Sequence, residues 1–446
     1  MIAIATRLPR WFRPLALAAV IGALSLAGRA DVLSDAAALL GDKDLLIRWT
    51  SALSGAARGA TPVTLIDVDA ETMAHYGAPD RAPRDLLAGL IDLAGQKRPR
   101  GVFLDIDIGK PGVDAEADAK LRAVLAGWRA DAPVLALSRR FVETPGRDGK
   151  TALAPAPFAF AEAAAGRANI RQAASLALVD ADSVVRRWRL TQAVCEGATG
   201  VAFPSPQLVA ASLDAAPQAL DAFLDWRGRA VCAQDKTAAP AWPRNPADEA
   251  NIAFLFSGAP GAPAPAIERA GRETLVFRRI PARSLLDARR NVLPPRAVAD
   301  DLFVDRFVVI GATHAEAHDA HLTPLGRLPG VVILANAIVS APAALSSLPL
   351  SPWGRTLAAL ALFGALAAIS RRLRPLVAAL VVALACLALA PALGRLIAPS
   401  SALEIIFAAL AMLALFASLE SAIDMARDWR ARGWRAMLKK PKQEGA

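Results

Sequence analysis

Four long apolar runs interrupt the chain: Trp11 to Leu26, Trp353 to Ile369, Pro375 to Leu393 and Ala402 to Ile423. Each comes near the roughly 20 residues that a helix needs to cross hydrocarbon, so four transmembrane helices are predicted, one N-terminal and three C-terminal. Arg355 makes the second run the weakest. The long stretch from Arg29 to Leu350 is patterned instead as a folded domain. It opens with a helical segment, Asp31 to about Gly59, in which leucines recur among charged residues. Val63 to Asp69, V-T-L-I-D-V-D, then predicts a strand, Arg84 to Leu93 a helix, and Val102 to Ile108 a second strand. A helix over Ala115 to Trp128 and a strand over Pro133 to Leu137 continue the rhythm, which is that of right-handed βαβ units with parallel strands.

Downstream the pattern is less regular. Strands are predicted at Val184 to Thr191, Ile252 to Phe256, Thr274 to Arg278 and Phe307 to Ile310, with helices at Ser205 to Leu213 and Gly330 to Ser340. Pro-Ala-rich loops occupy Ala238 to Pro246 and Gly258 to Pro265. The fold class expected is α/β, a mixed, largely parallel sheet flanked by helices.

Charge decides the topology. The net charge of +10 suggests nucleic acid only until its placement is read, because Asp31 to Leu350 holds 35 Lys and Arg against 36 Asp and Glu. The excess flanks the apolar runs, at Arg7, Arg10 and Arg13, at Arg371, Arg372 and Arg374, and from Arg427 to Lys442. Basic flanks resist translocation, so both termini are expected in the cytoplasm and the large domain outside a bacterial inner (cytoplasmic) membrane, in the periplasm. The division is then 1–28, 29–350, 351–424 and a short basic tail, 425–446, that would adhere to anionic headgroups. A cleaved signal peptide over the first run remains the alternative to an anchor. Arg355 and Glu404 fall on the same outer side, as an ion pair or as two solvated charges. The middles of the runs carry no ionisable residue, which argues against a transporter.

Several residues could carry chemistry. Asp67 and Asp69 end one strand, and Asp105 and Asp107 end its neighbour. Side chains alternate with period two, so four carboxylates would approach the sheet edge where open α/β folds bind ligands. Oxygen-rich clusters suit a divalent cation. The other reading has Asp69 capping a short helix and the rest bonding loop amides. His314, His318 and His321, beside Asp319, have a spacing that could serve a transition metal, or form a hydrogen-bonded loop. Gly311-Ala312-Thr313 could make a small anion-binding turn. Cys195 and Cys232 are either bridged, as export permits, or free thiols. No nucleophile motif, H-E-x-x-H or phosphate loop occurs, so no enzyme is expected and no cofactor is required.

The motifs together resemble the second-type CHASE domain, an extracytoplasmic sensory domain associated with cyclases and histidine kinases. The likeness rests on Leu65-Ile66-Asp67-Val68-Asp69, the Arg-led helix Arg84-Asp85-Leu86-Leu87, Arg100 to Ile106, and Asp180 to Arg187 against the family's "D.dg.vRr". A long C-terminal block adds Val308 to Thr313, Asp319 to Gly326 and Pro329 to Ile338. The resemblance implies a sensor and an oligomer, and the candidate ligand site is taken as the four aspartates with Arg84 and Thr313. The kinase or cyclase that commonly follows does not, so a separate signalling or cell-envelope partner is expected. A scaffolding subunit and a metal-dependent hydrolase are the alternatives.

Overall fold

In the computed structural model, described residues run from 60 to 346, apart from 78–80, 146–150, 197–198, 215–217, 234–236, 238, 244–248, 260, 270 and 315–318. Only 361, 368–369 and 381 are described beyond them. The four apolar runs, the segment Asp31 to Gly59, Arg355, Glu404 and the basic tail therefore lie outside the described residues. Among the described residues no helix is long and apolar enough to cross a membrane. The chain divides into two compact units, residues 47–348 and the two ends, 1–46 with 349–446; the architecture below belongs to the first.

The centre is a six-stranded sheet. Its strands are β1 (Val63–Val68), β2 (Gly101–Leu104), β3 (Val134–Ser138), β4 (Ile170–Ala173), β5 (Phe277–Pro281) and β6 (Phe307–Ala312), in the order β5-β1-β6-β2-β3-β4. Every neighbouring pair is parallel. The expected mixture is thus a largely parallel architecture whose antiparallel pairs stand apart, in small sheets such as Phe141–Pro145 with Thr151–Pro155 and Thr191–Glu196 with Thr199–Pro204. The helices are α1 (Ala70–His75), α2 (Arg84–Lys97), α3 (Ala115–Ala126), α4 (Ala161–Ala164), α5 (Pro206–Ser212), α6 (Ala219–Cys232) and α7 (Gly330–Ser346).

Alternation along the strands divides the core into two layers. Ile66, Val68, Val102, Leu104, Leu135, Leu137, Val308 and Ile310 pack with the apolar residues of α2 and α3. Val63, Leu65, Phe103, Ala136, Phe307 and Val309 face the other way, into a cluster with α5, α7 and Phe223 of α6. Both faces of the sheet are covered, which is why its strands read as near-continuous apolar runs. Helix ends follow local chemistry: Asp114 accepts from the amides of Glu116 and Ala117 to start α3, and Ser205 accepts from Leu208 ahead of Pro206 in α5.

The structure corrects four predicted strands. The second stops at Leu104; Asp105 still donates its amide to Ile310 O at 2.8 Å, and the chain then turns away. Val184 to Thr191 divides at Leu190 into Val185–Arg189 and Thr191–Glu196, which belong to different sheets. Thr274 to Arg278 straddles a hairpin strand, Arg272–Leu275, and β5. Ile252 to Phe256 is not a strand: the amide of Ile252 still donates to Arg186 O at 2.9 Å, but beyond it a helix supplies the hydrogen bonds. Asn336 of α7 accepts from the amides of Leu255 and Phe256 (2.8 and 3.2 Å) and donates to Phe256 O (3.0 Å). The amide of Ala253 donates to Ser340 Oγ.

Candidate functional site

Parallel register sets the geometry of the carboxyl edge. Asp67 pairs with Gly311, and Leu104 with Ile310, so Asp67, Gly311 and Asp105 form a row across β1, β6 and the end of β2. They continue the face of Leu65, Val309 and Phe103, where apolar side chains give way to ionisable ones at the last step. Glycine stands in the middle because α7 arrives there: a Cβ at Gly311 would meet Val331 Cγ2 at 2.5 Å. Val331 therefore wedges between the two acids, and each has its own surroundings.

On the β1 side, Asp67 is fully buried. Its Oδ2 takes a salt bridge from Arg279 Nη2 at 2.6 Å, with Nε at 2.8 Å, and accepts from Thr313 Oγ1 at 2.9 Å. Arg279 also donates to Thr313 Oγ1 and to Gly258 O. Burial pushes the Asp67 carboxyl up against the opposing pull of Arg279. Its Oδ1 is enclosed without a hydrogen-bond partner.

On the β2 side, Asp105 Oδ1 accepts from Ser175 Oγ at 3.0 Å. Burial drives its carboxyl up to about 7, with Asp319 adding a smaller push in the same direction. Asp319 lies against the first residue of α7. Its carbonyl accepts from Gly330 N at 2.7 Å, and a Cβ on Gly330 would stand 2.0 Å from its Oδ2. Asp319 Oδ1 also meets His321 Nε2 at 2.8 Å. The hairpin Ala320–Thr323 with Gly326–Pro329 leads from these residues into α7.

The predicted four-carboxylate cluster does not assemble, because two of its members leave the edge. Asp69 follows the end of β1 and caps α1, accepting from Thr72 N (2.8 Å) and Thr72 Oγ1 (2.7 Å). Asp107 lies beyond the turn, where it accepts from Gly109 N and pairs with Arg140 at 2.9 Å. Arg84 is a buried clamp. It donates to the carbonyls of Asp107 and Lys110, all at 3.2 Å, and its Nε stands 3.7 Å from Asp118. His314 is buried, while His318 lies outside the described residues. Among the described residues no group of three or more His, Cys, Asp and Glu side chains could hold a metal ion. Cys195 and Cys232 are bonded, tying the hairpin Thr191–Glu196 with Thr199–Pro204 to α6.

Sequence reasoning missed Arg279 and Ser175. The signal for Arg279 was a charge inside V-F-R-R-I-P, a strand pattern with nowhere obvious for it to go. The segment from Asp180 to Arg187 forms a tight turn: Ser183 N donates to Asp180 O, and Asp180 N to Val184 O. Ser183 sits at φ 65°, which explains the family pattern's glycine there. Arg186 bridges Asp180 and Asp182, and Arg187 bridges Asp180 and Glu249.

Compared with known families, residues 15–370 match the CHASE2 domain. Neither the curated proteins nor the solved structures contain a match to the chain.

Proposed function

We propose, since the chain belongs to the CHASE2 domain family, a family of sensory domains, that it is a membrane-anchored extracytoplasmic sensor acting on a separate effector protein. A small polar ligand is read at the carboxyl edge of β1, β6 and β2. The observation that carries this reading is the contact of Val331, in the first turn of α7, with Gly311 between Asp67 and Asp105. A ligand that changes the charge or pairing of either acid changes the seat of α7. That helix is followed in sequence by the apolar run beginning at Trp353. Such a ligand acts only through different affinity for two seats of α7, and reversing a 1:99 population needs about 5.5 kcal/mol of preference. The fold is used here for binding and relay, with no catalytic step, and a divalent cation remains among the ligands to be tried.

The test is to tag the C-terminus, extract the full chain gently from native membranes, and crosslink what co-purifies for mass spectrometry. A signalling enzyme crosslinked to the tail, residues 425–446, is the expected result. Recovery only of envelope-assembly proteins, crosslinked to residues 60–346, would overturn the sensor in favour of a scaffold subunit.

A further inference from the structure

Two acids stand at the first residues of α7. A Cβ on Gly311 would lie 3.5 Å from Asp105 Cβ while meeting Val331, and a Cβ on Gly330 would meet Asp319 Oδ2 at 2.0 Å. Glycine at both positions lets the acids and the helix approach this closely. Their counter-groups set these two acids apart. Elsewhere around the sheet a carboxylate has an arginine: Asp67 has Arg279, Asp107 has Arg140, Asp118 has Arg84, and Asp180 has Arg186 and Arg187. Among the described residues, the Asp105 carboxyl has only the Ser175 hydroxyl, from the segment leaving β4, and the Asp319 carboxylate only the His321 imidazole.

The charge that acts on Asp105 is that of Asp319. The other charged groups near it are differently disposed. Asp67, beyond Val331, is held by Arg279, and Asp107 by Arg140. Arg139, one residue past β3, lies over the Phe158 ring at 5.4 Å, and His314, in the loop after β6, is buried. Ionising Asp105 therefore places an unneutralised charge in desolvated surroundings, beside the Val331 side chain and a second carboxylate. The positive end of a helix ordinarily offsets such a charge, but Gly330 N already donates to Asp319 O at 2.7 Å. Moving the first turn of α7 aside admits water and relieves it.

We propose that the proton is the ligand read at this edge: Asp105 is neutral while α7 is seated, and its ionisation, opposed by Asp319, releases the first turn of α7. This rests on the reading above that the edge controls the seat of α7, and it names what acts there. Burial holds the seated carboxyl at about 7 against an ordinary 3.8. The seated form keeps its proton more tightly, so seating is strongest at acid pH and is lost as pH rises from about 4 to about 7, at most about tenfold per pH unit. A protonated His321 offsets Asp319, so both groups favour the seated form as pH falls.

The full chain in detergent is followed by hydrogen–deuterium exchange on peptides covering 330–336, at about pH 5.5 and about pH 8. Protection is read relative to β2, because exchange itself is base-catalysed. Wild-type protection should fall about tenfold or more, and roughly thirtyfold if release restores the ordinary carboxyl. Asp105→Asn, which cannot ionise, should stay within about threefold over the same range. Ser175→Ala should enlarge the wild-type fall, since the hydroxyl favours the charged carboxylate, and Asp319→Asn should shrink it. This opposed pair serves if Asp105→Asn fails to fold. Wild-type protection constant within about threefold, an Asp105→Asn fall equal to that of wild type, or the pair changing in the same direction would overturn the proposal. A flat wild type leaves the sensor to its crosslinking test, whereas envelope-assembly partners recovered alongside the expected fall would remove the sensor and leave the proton-driven release standing.

Discussion

Replacing Asn336 by alanine tests how α7 is tied to the extended segment 252–257. Asn336 is fully buried and serves the backbone of 255–256 in place of a neighbouring strand. Alanine leaves the amides of Leu255 and Phe256 without an acceptor and the carbonyl of Phe256 without this donor. The Val332 carbonyl, which also accepts from the Asn336 side chain, keeps its ordinary helical bond. Three orphaned groups at about 1 kcal/mol each, the lower end for buried polar groups, make about 3 kcal/mol of local destabilisation. At 1.4 kcal/mol per tenfold, the amides of this segment should exchange roughly a hundredfold faster. Hydrogen–deuterium exchange of the full chain in detergent, read on peptides covering 252–257 and on β2 as control, measures it. Exchange at 252–257 within about threefold of wild type would refute the claim that Asn336 stands in for a strand.

Gly311→Ala should displace α7 and destabilise the domain by about 1–3 kcal/mol, the usual cost of overpacking. Adding Val331→Ala should recover part of that loss in thermal unfolding, and no recovery would mean the wedge is misassigned. For Asp105 the folded carboxyl titrates near 7 against 3.8 when unfolded, so the folded state holds the proton more tightly between those values. Wild-type stability should therefore fall as pH rises from about 4 to about 7 relative to Asp105→Asn, which cannot ionise. Melting curves of the two proteins that stay parallel across this window would contradict it. Cys195 and Cys232 are separated by 37 residues, for which chain entropy predicts about 4 kcal/mol at 25 °C. The double serine variant should unfold at markedly lower denaturant, and an unchanged midpoint would argue against the bridge.

The sheet's first half was legible because its signals are local. V-T-L-I-D-V and V-F-L-D are compact runs of strand formers, and the leucines of α2 recur at helical spacing between them. Ile252 to Phe256 carries the same kind of signal and misled, since sequence shows that a backbone needs partners but not that a side chain 80 residues later provides them. The hairpins around Phe141 and Thr191 were invisible because their strands are only partly buried and so lack a continuous apolar run. At the site, Asp67 and Asp105 could be picked out as acids ending apolar strands. Their separate fates could not, because Arg279 and Val331 reach them only through tertiary contact. Asp69 and Asp107 look the same in sequence and differ only in that β1 ends one residue before Asp69 and β2 three residues before Asp107.

The order of the sheet also governs how the domain can be made. β1 and β2 do not pair with each other; β6 lies between them, pairing Val63 with Phe307 on one side and Gly101 with Phe307 on the other. A chain synthesised from its N-terminus exposes both strands long before their common partner exists. Until Phe307 to Ala312 emerges, each offers an unpaired apolar edge of the kind that recruits other chains. Closure across so large a sequence separation is intrinsically slow. Folding of this domain therefore depends on keeping both strands away from other chains until β6 has been made, and a product cut short before Phe307 cannot complete the sheet.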